Sequence, residues 1–323
     1  MAAKPGVIPL RPLSLSDLFN GAVSYIRANP KATLGLTTVV VVITQALALI
    51  LQLGPLLAMG DIGAESGEEM STPALVGSGL SGLTSGVATA LSGILLSGML
   101  TVVVGRAVFG AQITIGEAWA RLRGRLWALI GLSVLEVLAV VLLIGVVVAV
   151  IAGVAAGANA TAAVLVGIPL VLLLIAALVY VYTALSFAPV AVVLERKPVI
   201  ASIGRSFGLV RNHFWRVLGI RLLASLVAGF IAAAVSVPFS IAGQVFLIGA
   251  DSAGPLILAT TVAAVGGAIA QIITAPFTAG VTVLLYTDTR IRAEAFDLVL
   301  QTGAAAGPGD TMTADNLWLT PGR

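Results

Sequence analysis

Cysteine is absent from the 323 residues, and histidine occurs once. The first absence excludes disulfides and thiolate metal sites. The second excludes a histidine metal cluster and leaves His213, beside Phe214-Trp215, as an expected surface anchor. Charge is scarce as well: 10% of the residues are charged, against about 25% in soluble domains. Hydrophobic residues make up 59%. A water-facing exterior does not fit that balance, and repeated apolar runs of bilayer length mark an integral membrane protein. No GxSxG, Walker loop or HExxH occurs. Without a nucleophile–base or metal constellation, the expectation is a protein with no catalytic residues, no cofactor and no metal. A formal charge of +3 is weak evidence for nucleic acid, and no nucleic-acid partner is expected. The first 30 residues hold Lys4, Arg11, Asp17 and Arg27 and no apolar core, so they are not a cleavable signal and the first span is expected to stay as an anchor.

What is present is a pattern that occurs three times. Arg27 is followed seven residues on by Leu34-Gly35-Leu36, Arg123 by Ile130-Gly131-Leu132 and Arg211 by Leu218-Gly219-Ile220. One residue before each arginine stand Ile26, Leu122 and Val210; four before, Val23, Trp119 and Phe207; eight before, Phe19, Ile115 and Ile203. These offsets share one face of a 3.6-period helix. The unit reads as an amphipathic helix on the membrane surface followed by a helix entering the bilayer.

Taken in order, residues 1–13 are an irregular lead-in, 14–302 a membrane domain and 303–323 a Gly-, Ala-, Thr- and Pro-rich tail expected to be disordered. Ser14 or Ser16 caps the first surface helix, and Thr114 with Glu117 forms a capping box for the second. The expected spans are 33–57, 80–105, 127–153, 161–187, one from 217 that Pro238 breaks or kinks, and 256–285 with Pro276 inside it. Gly82, Gly86 and Ala90, and Gly93, Ser97, Thr101 and Gly105, form stripes expected to pack helix on helix. Gln45, Gln52, Gln244 and Gln271 are expected interhelical hydrogen bonders. Residues 286–300 read as a final charged segment on the surface, and 65–69 as a solvated acidic loop. The fold expected is all-α integral membrane: six transmembrane helices in three hairpins, each preceded by a cytoplasmic amphipathic helix.

All 17 Lys and Arg fall in the N-terminal segment, in 106–125, in 196–221 or in the C-terminal segment. The positive-inside rule puts these segments and both termini in the cytoplasm. Arg27, Arg121, Arg123, Arg205, Arg211 and Arg216 are the candidate contacts to lipid headgroups, with anionic phospholipids the expected partner. Two charges break the threefold pattern. Glu136 stands where the other copies have Val40 and Ala224, and Arg221 where they have Thr37 and Ser133. Their offsets in the frame differ by about 4.5 Å of depth, at 1.5 Å per residue, so they are expected to pair inside the bundle. The pair is either structural or part of a polar path. Pro189, Pro238 and Pro276 mark either packed kinks or broken helices around a cavity.

PLRPLSLSDLFNGAVSYIRANPKATLG resembles the opening of a group of actinobacterial membrane proteins, FAPVAVVLERKP with SFGLVRNHFWRVLG their middle, and YTDTRIRAEAFDL their closing. The likeness covers about residues 8–300 and points to the membrane domain associated with some bacterial glycerophosphoryl diester phosphodiesterases. In those enzymes the chemistry belongs to an attached TIM-barrel domain, for which residues 1–323 hold no segment. The resemblance therefore implies a fold and a location in the bacterial cytoplasmic membrane, not the activity. The resulting expectation is a non-enzymatic lipid-handling or assembly factor of the cell envelope. The alternative is a small transporter or lipid flippase with a path near Glu136 and Arg221. A protein partner in envelope biogenesis and self-association both stay open.

Overall fold

The computed structural model describes residues 6–9, 11–58, 72–248, 253–305 and 316–319, with the side chains of 52–85, 87–89, 91, 253, 300 and 302–305 excepted. The regular structure among these residues is helical, with no strand. The helices are α1 (Leu15–Ala28), α2 (Leu36–Ala58), α3 (Thr72–Val108), α4 (Ile115–Arg123), α5 (Leu126–Gly157), α6 (Ala160–Ala184), α7 (Ala188–Leu194), α8 (Val199–Val210), α9 (Phe214–Leu247), α10 (Ala253–Glu294) and α11 (Phe296–Ala305). Five stretches are long and apolar enough to cross a membrane: Lys31–Leu51, Leu126–Gly157, Ala160–Leu194, Phe214–Leu247 and Gly254–Glu294.

The arginine columns fall at helix junctions. α1 ends one residue past Arg27, α4 ends at Arg123, and Arg211 caps the end of α8. Each long helix restarts within a turn, the first through a π-helical turn at Lys31–Gly35. Ser14 and Thr114 close capping boxes with Asp17 and Glu117, satisfying amide groups that the first turn leaves open. The third residue of each apolar triplet, Leu36, Leu132 and Ile220, is buried in one shared core.

α10 is the central helix. α9 packs along it, and α1, α2 and α3 pack against it. α5 and α6 pack chiefly on each other and reach the rest through α3, α7, α8 and α9. Along α5, Leu129 and Leu132 are the buried residues, and most of its other Val and Leu side chains are exposed, around much of the helix. Apolarity of that extent suits lipid, not water.

Several expectations change. Residues 286–294 do not lie on the surface as a separate segment. They continue α10, and Tyr286, Thr287, Asp288, Thr289 and Arg290 are among the most buried residues described. The charges are tolerated there because each finds an opposite charge, two of the pairs at i,i+4 spacing. The chain turns at Ala295, in the left-handed region at φ 51°, into α11.

The described lead-in residues are irregular, as expected, yet they are packed: Ile8 and Leu13 are core residues, and Val7 N–H donates to Ala107 O at 3.3 Å. A Cβ on Gly6 would sit 2.2 Å from Val108 O, so only glycine fits that approach. Pro238 and Pro276 interrupt neither α9 nor α10. The Tyr25 hydroxyl donates to Pro276 O, and burial pushes that phenol's pKa up, keeping it a donor. In the tail expected to be disordered, 303–305 extend α11, and Trp318 is buried between Phe109 and Phe296.

The expected helix–helix stripe behaves differently along its length. At Gly105 an added Cβ would meet Leu194 at 2.7 Å, but at Gly86 and Gly93 it would meet nothing within 4 Å. Gly82 and the 65–69 loop lie outside the described side chains, as does Gln52. Gln45, Gln244 and Gln271 make no side-chain hydrogen bond among the described residues; α2 and α3 are linked instead by Thr44 Oγ1 and Ser92 Oγ at 2.9 Å.

Candidate functional site

The splayed α5–α6 pair leaves a cavity of about 820 Å³ against α3, α7, α9 and α10. Its wall is mostly apolar, with Glu136, Arg221, Tyr182, Gln271 and several serine and threonine hydroxyls, Ser186 among them, as polar exceptions. The lower stripe residues Gly93, Ser97 and Thr101 line it, which explains why no helix packs on Gly93. Of the three prolines, Pro189 also lies on the wall, in the first turn of α7, where its missing N–H costs no helical bond.

The two symmetry-breaking charges therefore share one cavity, but they do not form a salt bridge within 4.0 Å among the described residues. Arg221 turns to α6 instead. Its Nη2 donates to the Tyr182 hydroxyl at 2.9 Å, its Nη1 approaches Tyr182 O at 3.4 Å, and the guanidinium lies 4.3 Å from the centre of the same ring. Glu136 has no hydrogen-bond partner among the described residues. The physical reason is competition: an aromatic face and two oxygens on one neighbouring residue hold the cation across the α6–α9 contact. Ser186 Oγ, on the same wall, is buried without a partner.

A layer of ion pairs lies at the ends of these helices. Glu195, with its side chain 5% exposed, sits at the C-terminus of α7. It accepts from Arg205 Nε and Nη2 at 3.1 and 3.0 Å and from the Tyr286 hydroxyl, and it lies 3.4 Å from Arg290 Nη1. Glu294 closes the set, accepting from Arg205 Nη2 at 2.7 Å and Arg290 Nε at 3.0 Å. Burial pulls the Arg205 guanidinium down, yet the bonds to Glu294 and Glu195 outweigh it and hold the group above the ordinary arginine value. Arg290 also rests 4.0 Å from the Phe296 ring centre and donates to Trp318 O at 3.3 Å.

The second group centres on Asp288, which accepts from Arg216 Nη2 at 2.9 Å and Arg292 Nε at 3.0 Å. Both arginines donate in addition to Leu13 O, at 2.7 and 3.1 Å.

This arrangement revises the arginine assignments. Arg205 and Arg216, read as headgroup contacts, direct their donors at carboxylates and backbone within the protein. Arg27, Arg123 and Arg211 are exposed and make no ion pair among the described residues. Arg121 is half-buried and approaches Glu117 O at 3.4 Å. His213 caps α9 with Nδ1 buried and unpaired, so it is less a surface group than its neighbour Trp215. Sequence reasoning missed Tyr182, Glu195, Asp288, Arg290, Glu294 and Trp318. The i,i+4 spacing of Asp288 with Arg292 and of Arg290 with Glu294 was a readable signal for four charges on one helix; nothing local marks Tyr182 or Trp318.

Five apolar helices of membrane length make this an all-helical, membrane-embedded protein. The chain belongs to the family described as a domain of unknown function (DUF7847), whose match covers residues 13–289. No curated protein matches it. No solved structure matches it either.

Proposed function

We propose that this is a six-span inner-membrane protein that holds an amphiphile, a membrane lipid, in the cavity beside α5 and α6. The cavity carries the proposal. Its volume, about 820 Å³, is within the ~300–1,000 Å³ of small-molecule sites. Its lining is apolar except for a carboxylate, a guanidinium and a few hydroxyl and amide groups, which suits a molecule with a tail and a charged head.

The sixth span in this reading is α3, whose 37 residues are more than long enough for a bilayer. α1, α4 and α8 are the surface helices before each pair of spans. Trp127 and Trp215, in the same column of the repeat and 84% and 80% exposed, suit a headgroup layer at the start of α5 and α9. The charge distribution favours a cytoplasmic position for that layer and for both termini. A lipid-handling or assembly role in the bacterial envelope is what the resemblance to the phosphodiesterase-associated membrane domain implies, and the apolar cavity supports it. A transport path is the second reading, favoured by Glu136, which lines the cavity and makes no hydrogen bond or salt bridge among the described residues.

The test is mass spectrometry of lipids that co-purify with the protein, beside a Gly93→Phe, Ser225→Phe variant that fills the cavity. Gly93 has open space for the added ring. A stoichiometric lipid on the wild type, reduced several-fold in the filled variant, is the expected result. Equal retention by both, or none by the wild type, ends the proposal.

A further inference from the structure

The described wall of the large cavity carries one carboxylate, Glu136 on α5, and one guanidinium, Arg221 on α9. The two act on each other through space but share no salt bridge among the described residues. Building on the lipid-holding reading, on which the assignment rests, we infer that the cavity selects a zwitterionic head. That head carries a primary ammonium, placed at Glu136, and a phosphate, placed at Arg221.

The open hydrogen-bonding groups give the first reason. The Glu136 carboxylate accepts no hydrogen bond among the described residues. Arg221 is only partly satisfied. Of the five N–H groups of a guanidinium, Tyr182 takes one on Nη2 and one on Nη1. Nε and the remaining hydrogens find no acceptor among the described residues. Ser186 Oγ is buried without a partner on the same wall, and Gln271 adds an amide that makes no side-chain hydrogen bond among the described residues. Polar groups within a bilayer are normally paired. A primary ammonium brings three N–H donors to acceptors such as these, and phosphate oxygens accept from a guanidinium fork.

Charge balance separates this head from the other common ones. An anionic head matches Arg221 but leaves Glu136 without a counter-charge and facing a like one. A zwitterion meets both. A quaternary ammonium has no N–H to donate and is recognised by aromatic cages. Tyr182 is the one aromatic residue on the described wall, and Arg221 already lies 4.3 Å from its ring centre. Depth strengthens the argument. Glu136 is ten residues past the start of α5 and Arg221 seven past the start of α9, about 15 and 10 Å along the helix axes. Far from the headgroup layer, a charge is stabilised by a partner more than by water.

The full-length protein in detergent is offered mixed micelles of phosphatidylethanolamine, phosphatidylglycerol and phosphatidylcholine, in equal amounts and with identical acyl chains. Native mass spectrometry counts the lipids retained. The wild type is expected to retain phosphatidylethanolamine roughly tenfold over either competitor, the scale of one charge-assisted hydrogen bond. Glu136→Gln should reduce that preference several-fold with its melting temperature close to wild type. Glu136→Lys, which makes the wall doubly cationic, should turn the preference toward phosphatidylglycerol. Glycerophosphoethanolamine, the same head without acyl chains, should not displace the lipid at equal concentration; displacement would identify a soluble zwitterion and overturn the lipid head. No lipid on the wild type, or equal retention by the Gly93→Phe, Ser225→Phe variant, ends the lipid-holding reading and this assignment with it. A lipid that the filled variant loses, but with equal occupancy by the three heads or an unchanged preference in Glu136→Gln, overturns the head assignment alone.

Discussion

The backbone N–H of Leu13 donates to Asp288 Oδ1 at 2.7 Å, joining the segment before α1 to α10 across 275 residues of sequence. Arg216 and Arg292 complete the arrangement by bonding both partners, the carboxylate and Leu13 O. Asp288→Ala strands two guanidinium groups and an amide together. Breaking a buried ion pair costs about 3–5 kcal/mol; because the arginine side chains are 34% and 31% exposed, the loss should fall at the lower end. Asp288→Asn keeps an acceptor for Leu13 and should lose less. Unfolding in detergent, followed by protease sensitivity near residue 13, reads both effects. Equal stability of wild type and alanine variant would refute the clamp.

The partner of Arg221 is Tyr182. A double-mutant cycle with Arg221→Met and Tyr182→Phe should give a coupling in the range of about 0.5–3 kcal/mol typical of residues in contact. The corresponding cycle of Arg221→Met with Glu136→Gln should give a smaller coupling, since the two charges act on each other through space without a salt bridge. Thermal unfolding of the single and double variants in one detergent decides between the two. A large coupling to Glu136 with none to Tyr182 would reverse the assignment. Growth complementation by a stable Glu136→Gln variant then asks whether the Glu136 carboxylate serves transport.

Arg205 bridges Glu195 and Glu294 with a planar fork that lysine cannot reproduce. Arg205→Lys should therefore cost roughly 1.5–3 kcal/mol, the value of a hydrogen bond to a charged group. The folded pKa of Arg205 is raised, so its contribution is complete below the ordinary arginine value and is lost only as pH rises through the folded one. Between about pH 6 and 10, below that ordinary value, the wild-type minus Arg205→Met stability difference should stay flat. A steep change in that window, measured by thermal unfolding across buffers, would contradict the bridged arrangement.

Trp318 packs on Phe109 and Phe296 at ring-centre distances of 5.5 and 5.2 Å. Trp318→Ala should destabilise by about 3–5 kcal/mol, as for other buried aromatic truncations. Trp318→Phe should recover much of this. A change below about 0.5 kcal/mol, the level of an ordinary surface substitution, would mean that the docked turn contributes nothing to the fold.

Orientation is open to direct test. Cysteines introduced at Asn159 and Lys197 fall in a cysteine-free background. An impermeant thiol reagent on intact cells should label position 159 and leave 197 unlabelled until the membrane is opened. Labelling at 197 from outside would overturn the cytoplasmic placement of the arginine junctions.

Much of this protein was written in local sequence. The scarcity of charge and the long apolar runs fixed an all-helical membrane protein, because no other use of such a composition satisfies the backbone in lipid. The arginine-plus-seven spacing located the junctions at Arg27, Arg123 and Arg211, and the Ser14 and Thr114 capping boxes located helix starts, since caps act within one turn. Which residue of each triplet points inward, Leu36, Leu132 and Ile220, came only from the packed structure. Partnership was decided only in three dimensions. Composition reads YTDTRIRAE as a surface segment, because a charged residue looks the same alone or neutralised by a residue ninety positions away. The contacts of Tyr286 and Arg290 with Glu195 make it buried. Glu136 and Arg221 were both visible as exceptions, and tertiary packing brought them to one cavity, yet the aromatic face of Tyr182 captured the arginine. The same packing gathered Arg106, the Arg121–Arg125 stretch and Arg196 around one pocket from three separate chain segments, a convergence that no spacing along the chain encodes.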